Sequence, residues 1–169
     1  MERPILASID TKALRHNLTR VRELAPTAKV WAVIKANAYG HGFAAVIDGL
    51  ASTDGFALLD LQDARFLREN GWQGPILLLE GVFSAADLRL AFELNCCLVV
   101  HTENQVSDLE AFDLTQYQAK PRHIYLKMNT GMNRLGFNPS NYREMFHRLH
   151  AATYKVSHMT HFANADRVD

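Results

Sequence analysis

Short apolar runs alternate with amphipathic segments along most of this chain. An apolar run bounded by turn residues predicts a strand, and the segments between the runs carry apolar residues at helical spacing. The predicted strands cover residues 30–35, 55–59, 76–79, 96–100, 123–128 and 155–160. Strands that alternate with helices in this way predict right-handed βαβ units and a parallel sheet.

The segments between these strands predict the helices. Helices are expected at residues 43–50, 61–69, 84–94, 103–112 and 140–151. Ahead of them, Ile5–Ile9 predicts a leading strand, and Thr11–Leu24 predicts a first helix with Asp10 or Thr11 as its N-cap. The apolar face of that first helix carries Leu14, Leu18, Val21 and Leu24.

Strands in series with no shift of composition between them indicate a barrel rather than two domains. A closed (β/α)8 TIM-type barrel has eight units and about 250 residues. The chain has 169 residues and about six βα units, so we expect an incomplete α/β barrel. We divide the chain into a leading strand and helix, 1–25, and a partial β/α barrel, 26–169. A doubly wound open sheet is the structural alternative.

Composition argues against two classes of partner. The 18 basic and 18 acidic residues leave no net charge. The sequence also lacks a basic patch interleaved with aromatic residues, the pattern that would indicate nucleic-acid binding. No apolar stretch has the length of a membrane span. The two cysteines, Cys96 and Cys97, are adjacent and cannot close a normal structural disulfide with each other. We therefore expect a reduced, cytoplasmic protein.

A lysine closes the predicted strand at 30–35. Lys35 follows a run of apolar residues and opens a turn that ends in the glycine-rich residues 40–42. Loss of solvent favours the neutral amine of a lysine, and a neutral amine attacks carbonyl groups such as the aldehyde of pyridoxal phosphate. A lysine that extends from the strand end into solvent is the alternative.

Two further strands end in polar side chains. Tyr125 and Lys127 alternate to one side of the strand at 123–128, which we expect to be the inside of the barrel, and such barrels place active sites at the carboxyl ends of their strands. Arg134 follows in the next loop, and His161 lies at the end of the last strand. A structural lysine, a solvated arginine and a satisfied core histidine are the alternatives. No pair of histidines that shares a face has a third ligand beside it, so no metal is predicted.

Three segments resemble the bacterial alanine racemases, which are fold-type III pyridoxal phosphate enzymes. They are AVIKANAYGHG at 32–42, KMNTGMNRLG at 127–136 and MTHFANAD at 159–166. They occur in the family's order, each at the end of a different predicted strand. The resemblance covers almost the whole chain and corresponds to the amino-terminal portion of the family, without its carboxyl-terminal β domain.

The resemblance implies roles for five residues. Lys35 is the expected catalytic residue and carries pyridoxal 5'-phosphate, and Tyr39 contacts the cofactor phosphate; a turn aromatic packed over the barrel mouth is the alternative for Tyr39. Arg134 is expected to bind the cofactor's phenolic oxygen and the substrate carboxylate. Lys127 is a candidate carbamylation site whose anion would orient Arg134. His161 is expected to support the cofactor through an arginine beyond the end of the sequence.

The function implied by the resemblance is that of an isomerase. It interconverts L-alanine and D-alanine and supplies D-alanine for the peptidoglycan of the cell wall. The resemblance also implies a homodimer, in which a tyrosine of the partner's carboxyl-terminal domain is the second acid/base. This chain alone is therefore expected to be inactive or nearly so, and prone to association. Two alternatives on the same barrel stay open: a non-catalytic pyridoxal phosphate-binding homeostasis protein and an amino-acid decarboxylase.

Overall fold

The computed structural model describes residues 6–117 and 123–167. Its six strands are parallel, and each pairs with the next strand along the chain. The strands are β1 (Trp31–Val33), β2 (Gly55–Leu58), β3 (Ile76–Leu78), β4 (Cys96–Val100), β5 (His123–Lys127) and β6 (Lys155–Met159). A doubly wound sheet reverses its strand order at a switch point. The sequential order therefore confirms the arc of a TIM-like barrel.

Helices connect the strands close to where the sequence predicts them. They are α1 (Thr11–Leu24), α2 (Lys35–Tyr39), α3 (Phe43–Gly49), α4 (Leu61–Glu69), α5 (Ala85–Glu93), α6 (Glu103–Ala111) and α7 (Pro139–Ala151). The sequence predicted neither α2 nor the short 3-10 helix at Thr115–Tyr117. Within the described ranges, no helix combines the length and the apolar character needed to cross a bilayer.

Side-chain caps fix where α1 and α5 begin. Asp10 accepts hydrogen bonds from the backbone N–H groups of Lys12 at 2.8 Å and Ala13 at 3.3 Å, so Asp10 is the N-cap of α1. Ser84 Oγ accepts in the same way from the N–H of Asp87 at 3.1 Å and begins α5. Such caps satisfy N–H groups that the first turn of a helix leaves unpaired.

The predicted leading strand at Ile5–Ile9 is wrong. Ile5 lies outside the described residues, and residues 6–10 form no strand. Leu6 is 91% exposed. The sheet begins with β1, and residues 6–9 form no backbone hydrogen bonds with any of its strands. An apolar pattern predicts an extended segment but does not supply the partner that makes it a strand.

The predicted buried face of α1 is only partly correct. Leu18 is buried, but Val21 is 45% and Leu24 is 79% exposed. The helix packs against α3, where Gly49 allows close approach because an added Cβ would lie 2.8 Å from Leu14 Cδ1. This contact covers the first half of the helix, and the last turn extends past it into solvent.

The two faces of the sheet carry different sets of side chains. The face toward the helices supplies the main core, which includes Phe56, Leu58, Ile76, Leu78, Leu98, Val100, Ile124 and Leu126. The opposite face, called the inner face below, carries Ala57, Leu77 and Val99, with Trp31, Tyr125 and Met159 packed beside them. Because side chains alternate along a strand, Lys127 shares the inner face with Tyr125, as the sequence predicted.

Candidate active site

A left-handed turn follows Lys35 at the carboxyl end of β1. Residues 36–39 have φ angles between 51° and 56°, and none of them is glycine. This conformation costs about 1–2 kcal/mol per residue, because Cβ comes too close to the following carbonyl oxygen. Hydrogen bonds hold the turn, from Ala38 N–H to the carbonyl of Ile34 at 2.9 Å and from Gly40 N–H to that of Ala36 at 3.0 Å. Backbone strain of this kind concentrates at functional sites.

The turn brings Lys35 and Tyr39 together. Lys35 is partly buried, and its Nζ lies 5.9 Å from the centroid of the Tyr39 ring. The Tyr39 side chain is 58% exposed. The side chain of Asn37 accepts a hydrogen bond from Phe43 N–H at 3.1 Å, which joins the turn to the start of α3. The amine and the phenol therefore face the same open space at the carboxyl end of the sheet.

Lys127 is a buried cation at the end of β5. Its side chain is 6% exposed, and it forms no ion pair within residues 6–117 and 123–167. Burial lowers the pKa of Lys127, the positive charges of Arg134 and Lys35 lower it further, and the carboxylate of Glu80 opposes them. A buried lysine with a lowered pKa at a strand end is a candidate for chemistry rather than for structure.

The loop after β5 is tightly organised around Asn129. Its Oδ1 accepts hydrogen bonds from the N–H groups of Gly131 and Asn133, both at 3.1 Å. Gly136 then allows the chain to pass close to β5, because an added Cβ would lie 2.8 Å from the nitrogen of Asn129. These contacts carry Arg134 back toward the end of the strand from which the loop started.

Lys127, Arg134 and His161 line the same narrow pocket. The loop after β5 is held to the end of β6 by a hydrogen bond of 2.6 Å between the hydroxyls of Thr130 and Thr160. Arg134 and His161 are both exposed. The structure thus forms two groups, Lys35 with Tyr39 and Lys127 with Arg134 and His161. The two groups interact, because the positive charge of Lys35 lowers the pKa of Lys127.

A further polar group lies beside Lys127, and sequence reasoning missed it. His101 is 8% and Gln105 is 7% exposed. His101 Nε2 donates to the carbonyl of Glu80 at 3.0 Å, and Gln105 Nε2 donates to the same oxygen at 2.8 Å. A signal was present, since His101 directly follows the apolar residues of β4, just as Lys127 ends those of β5.

Comparison with known protein families shows which family has this arrangement of residues. The family described as alanine racemase, N-terminal domain, matches residues 9–169. The chain belongs to this family. Among curated relatives, an alanine racemase from Polaromonas sp. is 54% identical over 168 residues, which is 98% of this chain and 45% of that protein.

Solved structures of the family agree with the fold. The biosynthetic alanine racemase of Pseudomonas aeruginosa has a TM-score of 0.88 and 36% identity, with 99% of this chain and 47% of that one covered. A histidine racemase from Leuconostoc mesenteroides has a TM-score of 0.80 and 28% identity, with 94% of this chain and 43% of that one covered. The chain thus spans just under half the length of the relatives it matches.

The charges at the barrel mouth suit an anionic small molecule. Three basic side chains lie there, Lys35, Lys127 and Arg134. Glu80 is the carboxylate whose charge raises the pKa of Lys127. The buried ammonium of Lys127 is not neutralised by an ion pair in the described part of the chain. Buried charges in proteins are normally paired, so a ligand or a modification that supplies negative charge fits this site.

Proposed function

We propose that the protein is a pyridoxal phosphate-dependent alanine racemase, and that this chain supplies the amino-terminal, cofactor-carrying part of its barrel. The observation that carries the proposal is the strained turn that sets the Lys35 amine 5.9 Å from the centroid of the Tyr39 ring, at the same carboxyl edge of the sheet as Lys127 and Arg134. The relatives named alanine racemase at above half identity support alanine as the substrate. We further propose a cytoplasmic homodimer that supplies D-alanine for peptidoglycan.

The residues at the barrel mouth have the chemistry to hold pyridoxal phosphate. The Lys35 amine would bind the aldehyde carbon, and the phenol of Tyr39 would donate to a phosphate oxygen. Arg134 would bind the phenolic oxygen and the substrate carboxylate through donors in fixed positions. His161 would act as a supporting group on the same side. The excess of cations over carboxylates matches the negative charge of the phosphate.

Racemisation needs proton removal on one face of the substrate and proton delivery on the other. When bound, the cofactor delocalises the electron pair that proton removal leaves behind. Lys35, released by the incoming substrate amine, would hold or deliver the proton on one face. The resemblance implies that a tyrosine from the partner's carboxyl-terminal domain serves the other face.

Lys127 would act through Arg134. A carbamate on the Lys127 amine replaces a positive charge with a negative one at a buried position. That anion would bind and orient the guanidinium of Arg134, a charge-assisted contact stronger than a neutral hydrogen bond. The lowered pKa of Lys127 favours the neutral amine, the form that reacts with carbon dioxide.

Borohydride trapping tests the proposal. We expect pyridoxal phosphate, followed by borohydride reduction and peptide mapping, to label Lys35. Lys35→Arg should abolish the label, and Lys12→Arg, a change at an exposed lysine of α1, should leave it intact. A label at another lysine in the unsubstituted chain would contradict the proposal, whether or not the chain alone racemises alanine.

A further inference from the structure

His101 carries a ring nitrogen without a partner in the described part of the chain. The side chain is 8% exposed, and Nδ1 makes no hydrogen bond within residues 6–117 and 123–167. Nε2 donates to the carbonyl of Glu80 at 3.0 Å. Because a carbonyl oxygen only accepts, the proton of the neutral ring lies on Nε2, and Nδ1 presents a lone pair. A buried polar atom left unpaired costs stability and calls for an explanation.

The imidazole is fixed in this position by its surroundings. The backbone N–H of His101 donates to Gln105 Oε1 at 2.9 Å, and Gln105 Nε2 donates to Glu80 at 2.8 Å. Gly81 packs tightly against this group, since an added Cβ would lie 2.9 Å from Gln105 Nε2. Turning the ring to pair Nδ1 would break the bond that Nε2 already makes.

Lys127 is the neighbour of His101 on the next strand. The register of β4 and β5 pairs Val99 with Tyr125 and Val100 with Leu126, which sets His101 beside Lys127 at the carboxyl end. Both side chains are buried. Burial lowers the pKa of His101, the Glu80 carbonyl opposes this, and the charge of Lys127 lowers the pKa further. The ring therefore stays neutral while Lys127 is a cation.

We propose that His101 captures the proton released when Lys127 is carbamylated, and then holds the carbamate through Nδ1. The inference rests on the proposed function, in which Lys127 is modified. The lone pair of the neutral Lys127 amine forms a bond to the carbon of carbon dioxide, and one C=O electron pair moves onto oxygen. A proton leaves the nitrogen for His101 Nδ1. The products are a carbamate anion and an imidazolium, so the total charge does not change.

Geometry and charge both favour this pairing. A carbamate extends the Lys127 side chain by about 2 Å, one C–N and one C–O bond, on the strand position beside His101, whose Nδ1 has no hydrogen-bond partner among the described residues. Carbamylation also inverts the sign of the charge beside the ring. Glu80 interacts electrostatically with both His101 and Lys127. Arg134 and Lys35 are the cations that interact with Lys127. An anion at Lys127 favours the imidazolium that a cation there excludes.

Carbon-13 NMR of the intact chain under labelled carbon dioxide tests the proposal. We expect a carbamate signal that is absent from Lys127→Arg. In the same sample, nitrogen-15 NMR should show His101 protonated with carbon dioxide present and neutral without it. This second measurement needs no substitution at His101, and its failure, a carbamate beside a neutral ring, would overturn the proposal. Absence of any carbamate on Lys127 would also overturn it.

Two variants separate His101 from its rival proton acceptor. His101→Gln retains a hydrogen-bonding group but takes up no proton, and we expect carbamate occupancy to fall at least about tenfold with the charge-assisted bond lost. Glu80→Gln retains the backbone carbonyl that accepts the hydrogen bond from the ring. We expect the carbamate occupancy of Lys127 in this variant to stay close to that of the unsubstituted chain. The reverse order of the two variants would assign the role to Glu80.

A separate measurement distinguishes failure of proton capture by His101 from failure of the proposed racemase function. Labelling of Lys35 by pyridoxal phosphate and borohydride in buffer free of carbon dioxide requires neither a carbamate on Lys127 nor a proton on His101. A chain that labels at Lys35 but shows no protonation of His101 would keep the proposed function and lose this inference.

Discussion

At the scale of single residues, Lys127 shows how a candidate functional group can reduce stability. Its ammonium is buried and has no ion pair among the residues described, and burial and the neighbouring cations lower its pKa. The unfolded chain binds the proton more tightly than the folded one. The free energy of unfolding therefore rises with pH between the folded pKa and the unfolded value of about 10.4.

We expect Lys127→Met to stabilise the chain near neutral pH in buffer free of carbon dioxide. The gain should be about 1–3 kcal/mol, because an apolar side chain of similar length replaces a desolvated charge. This gain in the free energy of unfolding should shrink as the pH rises toward the unfolded pKa of Lys127, because the lysine then loses its proton in the unfolded chain as well as in the folded one. Urea unfolding as a function of pH measures the effect. Lys12→Met, at an exposed position, is the control, and an equal gain there would contradict the explanation.

At the scale of elements, the sequence predicts what depends on local pattern. The strands that become β4 and β5 and the helix at 61–69 follow directly from apolar periodicity, and Ser84 marks the start of α5 through its cap. The left-handed turn after Lys35 could not be predicted in this way. Alanine and tyrosine have no preference for positive φ, so the conformation depends on the hydrogen bonds that hold the turn, which join its backbone to the carbonyls of Ile34 and Ala36.

The same limit applies to the candidate site. Motif order placed Lys35, Lys127 and Arg134 at strand ends, and the structure brings Lys127, Arg134 and His161 to one pocket. The partnership of His101 with Gln105 and Glu80 depends on which strands become neighbours. A pattern within a single strand does not contain that information.

We expect Ala36→Gly and Ala13→Gly to change stability in opposite directions. Ala36 is exposed and has a φ of 53°, so glycine removes the Cβ conflict. The net gain should be about 0.5–1 kcal/mol after the entropy cost of glycine. Ala13 is exposed in the right-handed helix α1, where glycine should cost about 0.5–1 kcal/mol. Chemical denaturation of both variants gives the comparison, and loss of stability in both would show that the turn is not strained.

At the scale of the whole molecule, the sheet is an open arc. β1 and β6 are its two end strands, and they do not pair with each other in the described residues. Their unpaired edges and the apolar inner face resemble the exposed strand edges through which chains associate. The serial order of the strands was predictable from the alternation of elements. The leading strand at Ile5–Ile9 was not, because strand formation depends on a partner elsewhere in the chain.

We expect the chain to associate as its concentration rises, and Val33→Lys to prevent this. Val33 lies on the edge strand β1 and is 41% exposed, and a lysine there opposes edge-to-edge pairing through its charge. Val21→Lys is a matched control, since Val21 is 45% exposed but lies on α1. Sedimentation velocity over a range of concentrations should show the unsubstituted chain and Val21→Lys associating alike while Val33→Lys stays monomeric. If both lysine variants associate equally, the contact does not form through the β1 edge.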